Sequence, residues 1–474
     1  MGILAGFMVP HPPMIVPDVG QGSEKKVKAT IDAYDKVAKE IARIEPETII
    51  ITSPHATMYS NYFHISPGQK ASGSFSDFRA PGVSFEEELD YELVNKLVDI
   101  TFDNSFPAGI EGERERRLDH GTMVPLYFIR KFYHGGKIVR IGLSGLSLID
   151  HYQLGMYIKD AVNELGRKAV FVASGDLSHK LQDYGPYGYA PEGPVYDERI
   201  MDVAGRAAFG EMLDFDEDFC DRAAECGHRS FVIMAGAFDG VDVYANALSH
   251  EDITGVGYGV CTFYPKEISG NGKSTNRNPG RCFLDKIKSR LSEESDKSDG
   301  YVKLARASLE SYIKNGKKLS VPKDIPDDIL KILPKEIFEK QAGAFVSIHK
   351  NGELRGCIGT IAPTTDSVAE EIVNNAISAS TRDPRFEPIT EEEFEWLEIN
   401  VDVLGEPEDI DSRDELDVKR YGVIVSCGYR RGLLLPDLEG VDDVDTQVDI
   451  AMRKGGISPT DDYRLQRFEV IRHK

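Results

Sequence analysis

"ETIIITSPHA", residues 47 to 56, places a short apolar, β-branched run ahead of Ser53, Pro54 and a histidine, His55. A run of this length, bounded by a turn signal, reads as a buried strand rather than a helix. "KIVRIGLS" (137 to 144) and "KAVFVAS" (168 to 174) repeat the pattern, and "GFMVPHPPMIVP" (6 to 17) ends a similar run at His11. Between them lie helix-like segments such as "SEKKVKATIDAYDKVAKEIARI" (23 to 44), apolar at three-to-four spacing. The alternation predicts an α/β domain with a central, mostly parallel or mixed sheet flanked by helices.

The chain of 474 residues is too long for one ordinary core, so two domains are expected. After "GYGVCTFYP" (257 to 265) the composition turns polar and rich in Gly, Asn and Ser, which reads as a linker. The expected division is a first domain over 1–265, a linker over 266–297 and a smaller α+β domain over 298–474. In that last domain Asn351-Gly352 sits between alternating runs as a hairpin turn. "GNGKST" (270 to 275) imitates a phosphate-binding loop, but the required first glycine falls at Glu267 and no strand leads in.

Acidic side chains outnumber basic ones by 79 to 56, a formal charge of −23, which argues against nucleic acid as a partner. The N-terminal apolar run meets prolines too early for a signal peptide, and no run of about 18 apolar residues follows. A cytoplasmic protein without membrane contact is expected. The six cysteines form no CxxC pair, so they read as free thiols.

His11, His55 and His179 (in "KAVFVASGDLSH") each follow a strand-like run closely. In open α/β sheets the ligand crevice lies beyond the carboxyl ends of the strands, so such residues converge there. The prolines after His11 and before His55 stiffen the approach and block a helix. Alone, each imidazole reads first as a hydrogen-bonded strand-end residue. Together they read as metal ligands, and two histidines plus a carboxylate leave positions open for substrate and dioxygen on Fe(II).

"DRAAECGHRSFVIMAGAF" (221 to 238) offers Glu225 as that carboxylate, with a helix cap as its structural alternative. Cys226 beside it is the rival ligand, and a thiolate shifts the preference toward zinc. His120, ahead of the apolar segment in "RLDHGTMVPLYFIRKF" (117 to 132), is a candidate hydrogen-bond donor to substrate or oxygen, or a cap-like residue. His179 is a proton-transfer candidate that Asp176 or Ser178 would orient. In the second domain Cys357 of "RGCIG" reads first as a small buried thiol between two glycines, and otherwise as a nucleophilic thiolate set beside the Arg355 guanidinium.

"PHPP", "SPH", "LDHGTMVPL", "SGDLSH" and "ECGHRS", in this order over roughly residues 1 to 265, resemble the class III extradiol ring-cleavage dioxygenases of the LigB family. That resemblance implies His11, His55 and Glu225 as Fe(II) ligands, His179 as the acid/base for the catechol proton and His120 as a donor near oxygen. Its substrates would be dioxygen and a catechol-like or aminophenol-like aromatic. Memo-type relatives share the fold and present a cysteine near the third ligand, which keeps Cys226 and zinc as alternatives. "LRGCIGT" (354 to 360), "SASTRDPRF" (378 to 386), "YGVIVS" (421 to 426) and "RRGLLLPDL" (430 to 438) resemble the AMMECR-one family, also called AmmeMemoRadiSam system protein A. This implies association with a Memo-like protein and a radical S-adenosylmethionine enzyme, and with it a second reading: a metal-binding module that modifies a protein or small molecule without ring cleavage.

Overall fold

The computed structural model describes residues 2–114, 117–266, 283–350, 353–438 and 440–474, and the chain divides into two compact units, Met1–Leu284 and Asp285–Lys474. In the first, β1 (Gly2–Val9), β2 (Thr48–Ser53), β3 (Lys137–Gly142), β4 (Lys168–Ser174), β5 (Val243–Glu251) and β6 (Tyr258–Pro265) form one sheet in the order β3-β2-β4-β1-β6-β5. The pairs among β3, β2, β4 and β1 are parallel, whereas β6 and β5 join antiparallel. The sheet is therefore mixed. Ile49, Ile50, Ile51, Val170, Phe171 and Val172 are fully buried, so both faces of β2 and β4 are covered, and this is why those runs are unbroken rather than alternating.

Helix α1 (Lys28–Ile44) buries Ala33, Tyr34, Val37, Ala38 and Ile41, the stripe expected of a period of 3.6. It shares one core with α2 (His120–Arg130) and with Phe7, Val9, Ile49, Ile51, Val170 and Val172 of the sheet. Gly6, next to Phe7, faces the opposite side, where an added Cβ would lie 2.6 Å from Phe238 and 2.9 Å from the Met234 sulfur. That side is covered by α3 (Leu148–Glu164) and α4 (His228–Ala237), which touch backbone to backbone: a Cβ on Gly155 would meet the Ile233 carbonyl at 1.9 Å, and one on Gly236 the Tyr152 carbonyl at 1.9 Å.

The stretch read as a linker over 266–297 is helical at its C-terminal end, where α5 (Phe283–Lys297) buries Leu284 and Leu291. Residues 267–282, with the "GNGKST" segment and Cys282, lie outside the described residues. The second unit follows with α6 (Gly300–Asn315) and then β7 (Ala344–Lys350), β8 (Glu353–Gly359), α7 (Val368–Thr381), β9 (Leu397–Leu404), β10 (Glu408–Ile410), β11 (Gly422–Cys427), β12 (Arg430–Leu434), α8 (Val444–Gly455), β13 (Arg464–Phe468) and β14 (Val470–His473). Two four-stranded antiparallel sheets result, ordered β8-β7-β9-β14 and β10-β13-β11-β12. The unit is α+β. The Asn351-Gly352 turn lies outside the described residues, with Lys350 and Glu353 paired on either side of it.

Candidate metal centre

The parallel strands end level, with Val9 opposite Ser174 and Ser53 opposite Gly142. Two residues beyond three of those ends stand His11, His55 and Asp176. His11 and His55 meet, Nε2 to Nε2, at 3.0 Å. Cys226 completes the group, its Sγ 3.6 Å from His11 Nε2. The donor atoms of His11, His55 and Cys226 all lie within 4.8 Å of one another. His120 joins the edge of the cluster, its ring centroid 3.9 Å from that of His55 and 5.5 Å from that of His11.

Hydrogen bonds fix how these groups present themselves. The Ser174 hydroxyl donates to the Gly121 carbonyl at 2.6 Å, so it accepts from His11 Nδ1–H at 3.0 Å. That assigns the proton of His11 to Nδ1 and leaves its Nε2 lone pair aimed into the cluster, the orientation a metal ligand requires. The His11 N–H donates to Asp176 Oδ1 at 2.7 Å, and the Asp176 N–H donates to Cys226 Sγ at 3.3 Å. On the other side, Ser53 accepts the His55 N–H at 3.2 Å and donates to Asp119 Oδ1 at 2.5 Å.

Burial holds His11 well below the ordinary imidazole range, reinforced by the charges that His55, His120 and His179 would carry. His120 and His179 fall to about 4, through burial first and His55 second. All are neutral at pH 7, with lone pairs available for a cation or a proton. Cys226 is pushed up by burial and then by Asp176 and Glu225, so its sulfur carries a proton until a cation displaces it. Two neutral imidazole nitrogens and a thiol within one ion's reach fit a divalent transition metal.

Glu225 takes a different place. Its Oε2 accepts the His228 N–H at 2.5 Å and so caps α4, while burial pushes it up to about 7. The cap alternative is the geometry found, and Cys226, not Glu225, is the residue brought to the two imidazoles. The reason is a long-range contact. Gly175 and Gly227 approach so closely that a Cβ on Gly175 would lie 2.1 Å from the Gly227 Cα, which sets Cys226 against Asp176.

His179 follows β4 and stacks on Tyr187, centroids 5.0 Å apart at 23°. Asp176 serves His11 and Cys226, and the Ser178 hydroxyl donates to the Ala223 carbonyl at 2.8 Å. Asp119, absent from the candidates the sequence suggests, is the N-cap of α2 and accepts the Thr122 N–H at 3.0 Å. The signal is present in "DHGT", an acid three residues before Thr at the start of an apolar helix. Arg140, nearly buried, lies 3.5 Å from Asp119. Asp119→Ala removes the cap, the Ser53 partner and this buried ion pair together, and is expected to cost about 3 kcal/mol in urea unfolding; a loss under about 1 kcal/mol would reduce Asp119 to an ordinary cap. Asp119, His120, His55, Phe78, Thr57 and Arg117 border a cavity of about 340 Å³ beside the cluster.

In the second unit Arg355 is not beside the Cys357 sulfur. A bulge puts Ile348 opposite Gly356 and His349 opposite Leu354, leaving Arg355 unmatched. Its guanidinium binds Glu393, with Nε–Oε2 and Nη2–Oε1 both 3.0 Å, and donates to the Glu387 carbonyl at 2.8 Å. Cys357 Sγ lies 3.3 Å from Ser347 Oγ, its N–H donates to Asp383 at 2.9 Å, and its carbonyl accepts from Arg385 at 3.2 Å. The Arg355 guanidinium is thus engaged by Glu393, and the one bonded to Cys357, through its backbone carbonyl, is that of Arg385. Cys220, Cys226, Cys261, Cys357 and Cys427 are free thiols, and no helix among the described residues is long and apolar enough to cross a membrane.

Residues 5–261 match the family described as the catalytic LigB subunit of aromatic ring-opening dioxygenase, and residues 302–473 match the AMMECR1 family. A protein of Clostridium acetobutylicum is 42% identical over 481 residues, covering 100% of both chains. A protein of Thermotoga maritima is 48% identical over 176 residues, 37% of this chain and 97% of its own. The crystal structure of an uncharacterized protein from Pyrococcus horikoshii aligns with TM-score 0.33 at 31% identity, over 38% of this chain and 91% of that one.

Proposed function

The chain belongs, through residues 5–261, to the family of the catalytic LigB subunit of aromatic ring-opening dioxygenase, and it carries an AMMECR1 domain over 302–473; from that membership we propose that the first unit is a metal-dependent oxidoreductase of the extradiol type, acting on a catechol-like or aminophenol-like ring with dioxygen. The observation that carries this reading is the meeting of His11 and His55, Nε2 to Nε2 at 3.0 Å with the His120 ring beside them, at the carboxyl edge of the sheet. A bound ion, iron in this reading, supplies Lewis acidity and electron exchange with dioxygen. His11 presents Nε2 because its Nδ1–H donates to Ser174, and Asp176 holds the His11 backbone and the Cys226 sulfur in one frame. His179, neutral at pH 7, accepts a hydroxyl proton from the ring and returns it to product, and His120, also neutral, donates a hydrogen bond near oxygen. Phe78, whose ring meets His120 edge-on at 5.3 Å, gives the neighbouring cavity an aromatic wall.

A second reading follows from the sulfur. Two imidazoles and a thiolate suit zinc better than dioxygen chemistry, which favours a metal-binding module acting with a radical S-adenosylmethionine enzyme in protein or small-molecule modification, without ring cleavage. One experiment separates the two. After anaerobic purification, metal content is expected to fall in His11→Ala, to fall furthest in Cys226→Ala, and to persist in Glu225→Gln. The Fe(II)-loaded protein is then expected to consume oxygen with at least one member of a catechol and aminophenol panel. Zinc retention with no uptake on any ring gives the second reading; unchanged metal in both ligand variants removes both.

A further inference from the structure

The described residues contain a second trio with the spacing of ion ligands: Asp176, His179 and Cys226, whose donor atoms also lie within 4.8 Å of one another. Ligands on opposite sides of one ion, each at about 2.0–2.3 Å, stand at most about 4.6 Å apart. A trio whose donors lie within 4.8 Å of one another stands close to that span and closes on one ion with a small side-chain movement. Five donors spread more widely do not, and His11, His55, Cys226, Asp176 and His179 fall into two trios sharing Cys226 rather than one group.

The geometry points to a second divalent-metal site, formed by Asp176, His179 and Cys226, with the Cys226 sulfur bridging it to the ion held by His11 and His55. A thiolate has lone pairs enough for two ions, and two-metal centres elsewhere place their ions about 3.5–4 Å apart, a separation one bridging atom spans. Asp176 is 7% exposed and anchored through Oδ1 to the His11 N–H at 2.7 Å, a bond that orients the carboxylate without neutralising it. Neither ring nitrogen of His179 has a hydrogen-bond partner among the described residues, yet Tyr187 stacked on its face fixes the ring plane. A well-oriented imidazole with both nitrogens uncommitted, beside a buried carboxylate and a thiol, is a ligand set of the kind zinc and cobalt take up. The site itself does not depend on ring cleavage. If the function proposed above holds, a second ion withdraws His179 from proton transfer, so excess metal would inhibit where the first equivalent activates.

The test uses the full chain, stripped of metal and equilibrated anaerobically with Co(II), with ions counted per chain and the sulfur-to-cobalt charge-transfer band followed through the titration. Two ions are expected for the native chain, and one for Asp176→Asn and for His179→Ala. Asparagine keeps the Oδ1 acceptor for His11, so folding is preserved. The near-ultraviolet band is expected to grow through the second equivalent in the native chain and to stop at the first in both variants. Saturation of the native chain at one ion overturns the site, as does retention of two ions in Asp176→Asn and His179→Ala. His55→Ala keeps the two questions apart. It is expected to hold one ion in the second site. No ion in His55→Ala, with one in the native chain, overturns the second site; two ions in His55→Ala, with one in Asp176→Asn, keep the second site and remove His55 as a ligand of the first.

Discussion

Binding of one divalent ion to the metal-free chain at pH 8 is expected to release about one proton, and Cys226→Ala is expected to release none. The sign follows from the two kinds of ligand. Burial lowers the imidazoles, so His11 and His55 are already neutral at this pH and have no proton to give. Burial raises the Cys226 thiol well above its ordinary value of 9.0, so at pH 8 it enters the reaction protonated and leaves as thiolate. Asp176 and Glu225, pushed up only to about 7, are mostly ionised at pH 8 and add little. Affinity therefore rises about tenfold per pH unit from neutrality toward the thiol's own pKa, and falls by the same factor on acidification. Loss of the thiolate should weaken the ion by more than the roughly 10–100-fold typical of an outer-shell change. The measurement is proton release in weak buffer with an indicator, during a zinc titration. Release near zero in the native chain would mean that Cys226 is not a ligand.

The parts of this site that could be read from sequence are those fixed within a dozen residues. A β-branched run followed by Pro and His places an imidazole just past a strand end, and His11 and His55 are found there, each two residues beyond the last strand residue. The parallel core was legible for the same reason, since strands covered on both faces leave no alternation to misread. The choice between Glu225 and Cys226 was not legible. Adjacent residues at a helix start point in different directions, and which one meets His11 is set by Gly175 against Gly227, a contact across more than fifty positions. Arg355 failed for a related reason. Its spacing of two from Cys357 implies a shared face, but the bulge opposite Ile348 and His349 breaks that alternation. The cap-like place read for His120 belongs to Asp119, one residue earlier, and its second task, accepting from the Ser53 that bonds the His55 N–H, required the fold.

That glycine contact supplies the largest expected effect on the fold and the site together. Gly175→Ala is expected to destabilise the first unit by about 3 kcal/mol, the upper part of the usual range for overpacking, and to lower its metal content. The added Cβ would stand 2.1 Å from the Gly227 Cα, whereas ordinary contact begins at 3.4 Å. The obstacle is backbone, so no rotamer change relieves it, and the two segments must part by more than 1 Å. The approach is equally tight from the other partner, where a Cβ built on Gly227 would lie 2.8 Å from the Gly175 Cα and 2.4 Å from the Phe231 ring. What parts is the site itself: Gly175 lies between Ser174 and Asp176, which hold His11, and Gly227 follows Cys226. A displacement of that size exceeds the tolerance of roughly 0.5 Å within which ligand sets must be held. Gly82→Ala is the control, since nothing lies within 4 Å of its added Cβ, and a change within about 0.5 kcal/mol is expected there. Urea unfolding with metal analysis on the same samples reads both effects. A Gly175→Ala protein that keeps native stability and native metal content would show that Cys226 reaches His11 without the close approach of Gly175 and Gly227.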